Sequence, residues 1–230
     1  MRIPTFYGLF IFLSVSFIGV ESAAITCLTS PSSTTLEALV DCFNAFTVPS
    51  NTYDATSYAA AQPNTDELSA WNTVVASLLA VDGDCTSVSL PSALSSIYSI
   101  SLFTESGSGG KSFCILSKAN SNSGGKYVRG WGLLAVPATR AAVSRYMHLS
   151  APHPIADDGT SQQAAGLFKR TGAKSLVIAG RHRGAYQANS CEGSDYFKTD
   201  PAHDTVWLFT GHSLGLKLIS YFRARFSLKL

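Results

Sequence analysis

The apolar positions of this 230-residue chain change period several times, and each change predicts an element. Tyr7 to Val20 is an apolar run without a charge, preceded by Arg2. Between 25 and 80 the apolar positions recur at helical intervals. Thr34 or Thr35 can cap a helix over Leu36 to Phe46. Asn64 and Glu67 have capping-box spacing, and Leu68, Trp71, Val75, Leu78 and Leu79 follow on a helical stripe. The Pro/Ser/Asn/Thr-rich stretch from Val48 to Pro63 reads as loop. From 97 the period shortens. Ile97 to Phe103, Ser112 to Leu116 and Tyr127 to Val136 read as strands, divided by the glycine-rich stretches 107–110 and 124–125.

The pattern is most specific from Val143 onward. Val143 to Leu149 reads as a strand, ended by the two prolines and the glycine of 150–159. Thr160 and Gln163 have the spacing of a second capping box, opening a helix over Ser161 to Arg170, which Gly172 ends. Ser175 to Ala179 is a short apolar strand broken by Gly180. Strand, helix and strand within about 40 residues predict two parallel strands joined by a right-handed crossover. The fold class is therefore α/β, with a partly parallel sheet preceded by a small helical region. Four segments follow: a leader over 1–24, a helical region over 25–95, an α/β core over 96–209 and an atypical tail over 210–230.

Composition narrows the setting. The run behind Arg2 is shorter than the ~20 residues a spanning helix needs, and small residues follow it. It reads as a cleavable secretory signal, with a mature start between Ala23 and Ile25 and no stable membrane anchor. Charged residues make up only 14% and the net charge is +2, without a basic patch, so no nucleic-acid partner is expected. Five cysteines in an oxidising compartment should pair. Cys27 with Cys42 and Cys85 with Cys114 suit local bridges, which leaves Cys191 a free thiol or a residue without its mate.

Parallel strands send the loops at their carboxyl ends to one edge, where α/β proteins bind ligands. Loop 150–159 carries His153, Asp157 and Asp158. Loop 180–186 carries Arg181, His182 and Arg183, and His148 lies one step back on its strand. His153 and Asp157, four apart across a turn, have the donor types of a zinc site, although an Asp/Pro-rich surface turn has the same pattern. Arg181 and Arg183 suit an oxyanion, since a guanidinium binds two oxygens at once; a solvated basic turn is the competing reading. His203, near Asp200, is open to three roles: ligand, base or helix start. Gly211-His-Ser-Leu-Gly215 matches the nucleophile elbow of serine hydrolases. That fold needs an acid and a histidine after the serine, and none follows Ser213.

Met147 to Thr160, Gln163-Ala-Ala, Thr171-Gly-Ala-Lys-Ser-Leu, Ala179-Gly-Arg-His-Arg, Asp200-Pro-Ala-His and the upstream Gly130-Trp-Gly together resemble a group of secreted fungal proteins over about residues 110–205. More distantly the pattern is similar to the zinc-dependent metallocarboxypeptidase-like fold, which includes N-formylglutamate amidohydrolases and poly-gamma-glutamate hydrolases. The resemblance implies Zn²⁺ on His153 and Asp157, with His203 or His212 completing the set. It implies Arg181 and Arg183 on the carboxylate of a small-molecule or peptide-like anionic substrate, with His148, His182 and Thr160 in support. The implied chemistry is amide hydrolysis by a metal-bound water. The chain departs from such folds after His203, where a further ligand and a catalytic Glu are missing. Together with the acid-free end of the chain, that departure predicts a truncated or read-through end after about Phe209 and an incomplete, inactive hydrolase. A non-enzymatic secreted binding protein for an anionic ligand is the alternative.

Overall fold

A computed structural model describes residues 23–119 and 125–186. Four helices come first: α1 (Ala23–Thr29), α2 (Leu36–Asn44), α3 (Ala55–Ala60) and α4 (Thr65–Leu79). Then follow β1 (Tyr98–Thr104), β2 (Ser112–Lys118), β3 (Leu133–Pro137), β4 (Arg145–Ala151), α5 (Thr160–Thr171) and β5 (Ala173–Ile178). The five strands form one sheet in the order β1-β2-β3-β5-β4. Only β4 and β5 run parallel, Leu149 opposite Leu176 and Ala151 opposite Ile178, and α5 is their crossover. The expected α/β class with a partly parallel sheet is present.

Alternation along the strands sends neighbouring side chains to opposite faces, and both faces are covered. On one face Phe113, Ile115, Ala135, Leu176 and Ile178 pack with Leu36, Leu39, Val40 and Phe43 of α2 and with Ala165 and Phe168 of α5. On the other, Cys114, Leu116, Leu134, Val136 and Val177 pack with Trp71, Val74, Val75 and Leu78 of α4. Each fully buried Leu or Phe contributes roughly 1.5–3 kcal/mol. The helices before residue 80 therefore build the outer layers of the same core that the strands fill.

The helix caps show how local sequence fixes the ends. The Thr35 hydroxyl accepts from the Ala38 amide at α2. At α4 the Asn64 side chain accepts from the Glu67 amide, and Glu67 Oε2 accepts from the Asn64 amide at 2.8 Å. Gly172 closes α5 in the left-handed conformation. The two local disulfides are present, Cys27–Cys42 tying α1 to α2 and Cys85–Cys114 tying the turn after α4 to β2. By loop-closure entropy the shorter one stabilises by about 3 kcal/mol. Among the described residues no helix is long and apolar enough to cross a membrane.

Three local expectations are corrected. The stretch Val48–Pro63 is not all loop: Asp54 and Ser57 form a reciprocal capping box that starts α3. The strand expected over Tyr127 to Val136 begins only at Leu133. The reason is the Gly130-Trp131-Gly132 turn. A Cβ on Gly132, whose φ is +63°, would lie 1.9 Å from the Ile178 carbonyl oxygen, so the backbones touch where a side chain cannot fit. Finally, Thr160 is not the cap of α5. Gly159 holds that position, and the Thr160 hydroxyl donates to the Asp157 carbonyl at 2.5 Å instead.

Candidate functional site

The topology gathers five segments at one edge of the sheet. These are the carboxyl ends of β4, β5 and β2, the turn before β3 and the start of α4. Loop 180–186 is pinned there by the segment after α2. The Val48 amide donates to Gly180, the His182 amide to Val48, and the Tyr53 amide to Ala185. These bonds extend the β5 line beyond Ile178 and fix which way successive side chains point. Arg181 and Arg183, two apart, nevertheless end in different environments.

Arg183 stays at the rim. Its Nη1 lies 3.3 Å from Asp157 Oδ1, both side chains being 46% exposed. Asp157 Oδ2 in turn lies 2.9 Å from Nδ1 of His153, a residue only 5% exposed. The loops after β4 and β5 thus meet as expected, and His153, Asp157 and Arg183 form one chain of contacts, with Thr160 holding the Asp157 backbone. His182 folds back on its own loop, where Nδ1 accepts from the Gly184 amide at 2.8 Å. His148 does not join them. Three residues before the end of β4, about 10 Å back along the strand, it shares a 2.6 Å hydrogen bond with Ser175. Burial lowers its pKa below the usual imidazole value, with help from Lys174.

Arg181 turns inward and is fully buried. Its Nε donates to the Gly130 carbonyl and Nη2 to the Arg129 carbonyl, both at 3.2 Å. The guanidinium lies 5.7 Å from the Tyr53 ring centre and 5.6 Å from that of Tyr58, a cation–π arrangement. Tyr58 also stacks on Tyr186 at 4.4 Å. Nη1 of Arg181 is buried without a hydrogen-bond partner. Burial lowers the Arg181 pKa, yet a guanidinium remains a cation at any physiological pH.

Two further cations lie beside it, and sequence reasoning missed both. Arg129 is clamped by Glu67, Nη1 on Oε1 at 2.5 Å and Nη2 on Oε2 at 3.0 Å, and stacks 4.0 Å from the Trp131 ring centre. Its Nε has no partner. Burial raises the Glu67 pKa, but the Arg129 contacts outweigh this and the net shift is downward. Lys118, 2% exposed, carries its Nζ 5.1 Å from the Trp131 ring centre and 5.6 Å from that of Tyr98. Among the described residues no carboxylate forms an ion pair with it. Burial, then Arg129 and Arg181, lower its pKa to about 7. One signal for Lys118 was present: it follows Cys114 and Leu116 at strand spacing, so it lies on their buried face.

The edge therefore holds an outer chain, His153–Asp157–Arg183, and an inner cluster of Lys118, Arg129 and Arg181, in which Glu67 pairs with Arg129. The outer chain brings two candidate zinc donors together. Both Asp157 oxygens are engaged, one with the imidazole and one with a guanidinium that opposes a cation. Among the described residues no three His, Cys, Asp or Glu side chains gather, whereas a zinc site takes at least three protein ligands. These residues alone do not fit the metal. His203, His212, Asp200, Ser213, Cys191, the tail and the leader up to residue 22 lie outside the described residues. No family model, curated protein or solved structure matches the chain. What the fold and the edge define is an α/β domain, closed by two disulfides, with a concentration of buried positive charge where such sheets bind ligands.

Proposed function

We propose that this is an extracellular domain that binds a small carboxylate-bearing molecule at this edge, Arg129 and Arg181 supplying the positive field. One observation carries the reading: Arg129, Arg181 and Lys118 lie together, among the described residues only Arg129 of the three forms an ion pair with a carboxylate, that of Glu67, and Arg181 Nη1 and Arg129 Nε lack hydrogen-bond acceptors. Buried charge is stable only when compensated. The carboxylate of a ligand provides both the missing charge and the missing acceptors, each guanidinium offering it one unused nitrogen. The rings of Tyr53, Tyr58 and Trp131 add apolar walls. Arg183 and Asp157, half exposed at the rim, steer the ligand and discriminate at the entrance. Secretion is part of the proposal, supported by the leader pattern and by the two disulfides.

Calorimetry with the purified mature chain tests it, using acetate, lactate, succinate and pyruvate against ethanol and glycerol as uncharged controls. Carboxylates should bind, more weakly as salt rises, and Arg129→Lys, which keeps a cation beside Glu67, should weaken them. Equal responses to carboxylates and neutral controls would defeat the reading. The metal-dependent amidohydrolase remains a second reading, favoured by the meeting of His153 and Asp157. It needs Zn²⁺ and His203 or His212, and metal analysis of the purified protein checks it: stoichiometric zinc lost in His153→Ala would support it.

A further inference from the structure

We propose that Lys118 is a nucleophile that condenses with the carbonyl group of the bound carboxylate, making 2-oxo acids the preferred ligand class. The inference rests on the carboxylate-binding reading above and adds a covalent step to it. Lys118 lies at the carboxyl end of β2, and the pairing Leu116–Leu134 brings that end beside the turn preceding β3. Its amine sits over the Trp131 face whose ring also stacks against the Arg129 guanidinium. Lys118 is 2% exposed, and the nearby Glu67 is held by both Nη atoms of Arg129.

The neighbours set the chemistry. Arg129 and Arg181 disfavour a third positive charge, Glu67 favours it, and Tyr98 is neutral, because burial pushes its pKa well up. At neutral pH a large fraction of Lys118 is therefore the free amine, the nucleophilic form. The same two guanidiniums attract a carboxylate. A molecule carrying a carboxylate next to a carbonyl satisfies both demands, since anchoring the first places the second near the amine. The Lys118 nitrogen forms a bond to the carbonyl carbon. The resulting carbinolamine loses its oxygen as water, taking up the two amine protons, and an imine remains. No oxidant, metal or further reactant is needed.

Pyruvate with cyanoborohydride is the probe, applied to the intact mature chain at about pH 8, where a group with a pKa near 7 is mostly deprotonated. The expected result is a protein heavier by one pyruvate less water plus two hydrogens, with the label mapped to Lys118. Lactate and acetate, which share the carboxylate and lack the carbonyl, should protect Lys118 without labelling it. In Lys118→Arg the adduct should be lost. Labelling of the wild-type chain needs no variant, so a misfolded substitution leaves the test intact. If carboxylates bind but no label reaches Lys118, or only surface lysines are labelled, the nucleophile is overturned and the binding site stands. If neither binding nor labelling occurs, both proposals fall.

Discussion

Arg181 and Arg183 leave the same strand two residues apart, and they teach opposite lessons about charge. Arg183 is at the rim, paired with Asp157 in water-accessible space, where an ion pair contributes about 0–1 kcal/mol. Arg181 is fully buried between backbone carbonyls and tyrosine rings. Its position is set by the Gly130-Trp131-Gly132 turn, which Tyr98 holds by donating to the Trp131 and Gly132 carbonyls at 3.0 and 3.1 Å, and Trp131 by donating to Ala61 at 2.7 Å. The outer chain is placed by two loops and can be altered cheaply. The inner cluster is built into the contact between α4, β2 and β3, and a change there is felt by the whole domain.

Glu67→Gln should show the largest effect of this contrast. It removes the carboxylate that pairs with Arg129 and leaves Arg129 half-buried beside Lys118 and Arg181. It also weakens the bond from Glu67 to the Asn64 amide that closes the α4 capping box. Breaking one half of a buried ion pair costs about 3–5 kcal/mol; with Arg129 partly exposed, about 3 kcal/mol is the expectation. Urea melts measure it. A loss below about 1 kcal/mol, the range of surface pairs, would erase the distinction between inner and outer charges.

The second test sharpens the contrast through pH. The folded pKa of Lys118, about 7, lies below its unfolded value of about 10.4. Between those values the unfolded chain binds the extra proton, so stability rises with pH. The contribution is fully present above the unfolded value and is lost as pH falls toward 7. At about pH 8 to 9 the slope from this one group approaches 1.4 kcal/mol per pH unit. Lys118→Met should remove that slope and, at pH 7, leave the protein as stable as the wild type or more so. Parallel urea melts at three pH values decide it: identical slopes in both proteins would mean that Lys118 titrates as an exposed lysine.

The two regions also differ in how far the sequence revealed them. The outer chain lies within one βαβ unit, where prolines, Gly159, the helical stripe and Gly172 are all local signals, so the meeting of loops 150–159 and 180–186 followed from topology alone. The local disulfides were legible for the same reason. The inner cluster joins Glu67, Lys118, Arg129 and Arg181, which are far apart along the chain, and no periodicity relates them. The turn at 130–132 hid inside an apolar run whose hydrophobicity resembles a strand. Its two glycines were the available signal. Gly132 is required by backbone contact with Ile178, a residue about 46 positions downstream, and Gly130 by its approach to Gly180 and Arg181, and such contacts leave no local pattern. Arg181 was readable as a ligand for anions, but whether it points outward was decided by the segment 48–53 pairing with its loop.

The smallest effect belongs to the rim, and it is informative because it should be small. Asp157→Asn removes the negative charge facing Arg183 and His153 while keeping the size of the side chain. Asp157 is nearly half exposed, so water replaces much of what is lost, and a change of about 0.5–1 kcal/mol is expected. The backbone bond from Thr160 to the Asp157 carbonyl does not involve the substituted atoms and should keep the loop in place. Carboxylate binding gives the more telling readout. Freed from Asp157, Arg183 adds attraction at the entrance, so association should become faster and more salt-dependent. Stopped-flow binding at two salt concentrations measures this. A large loss of stability, or binding that vanishes with Asp157, would place the working site in the outer chain and demote the buried cations to structure.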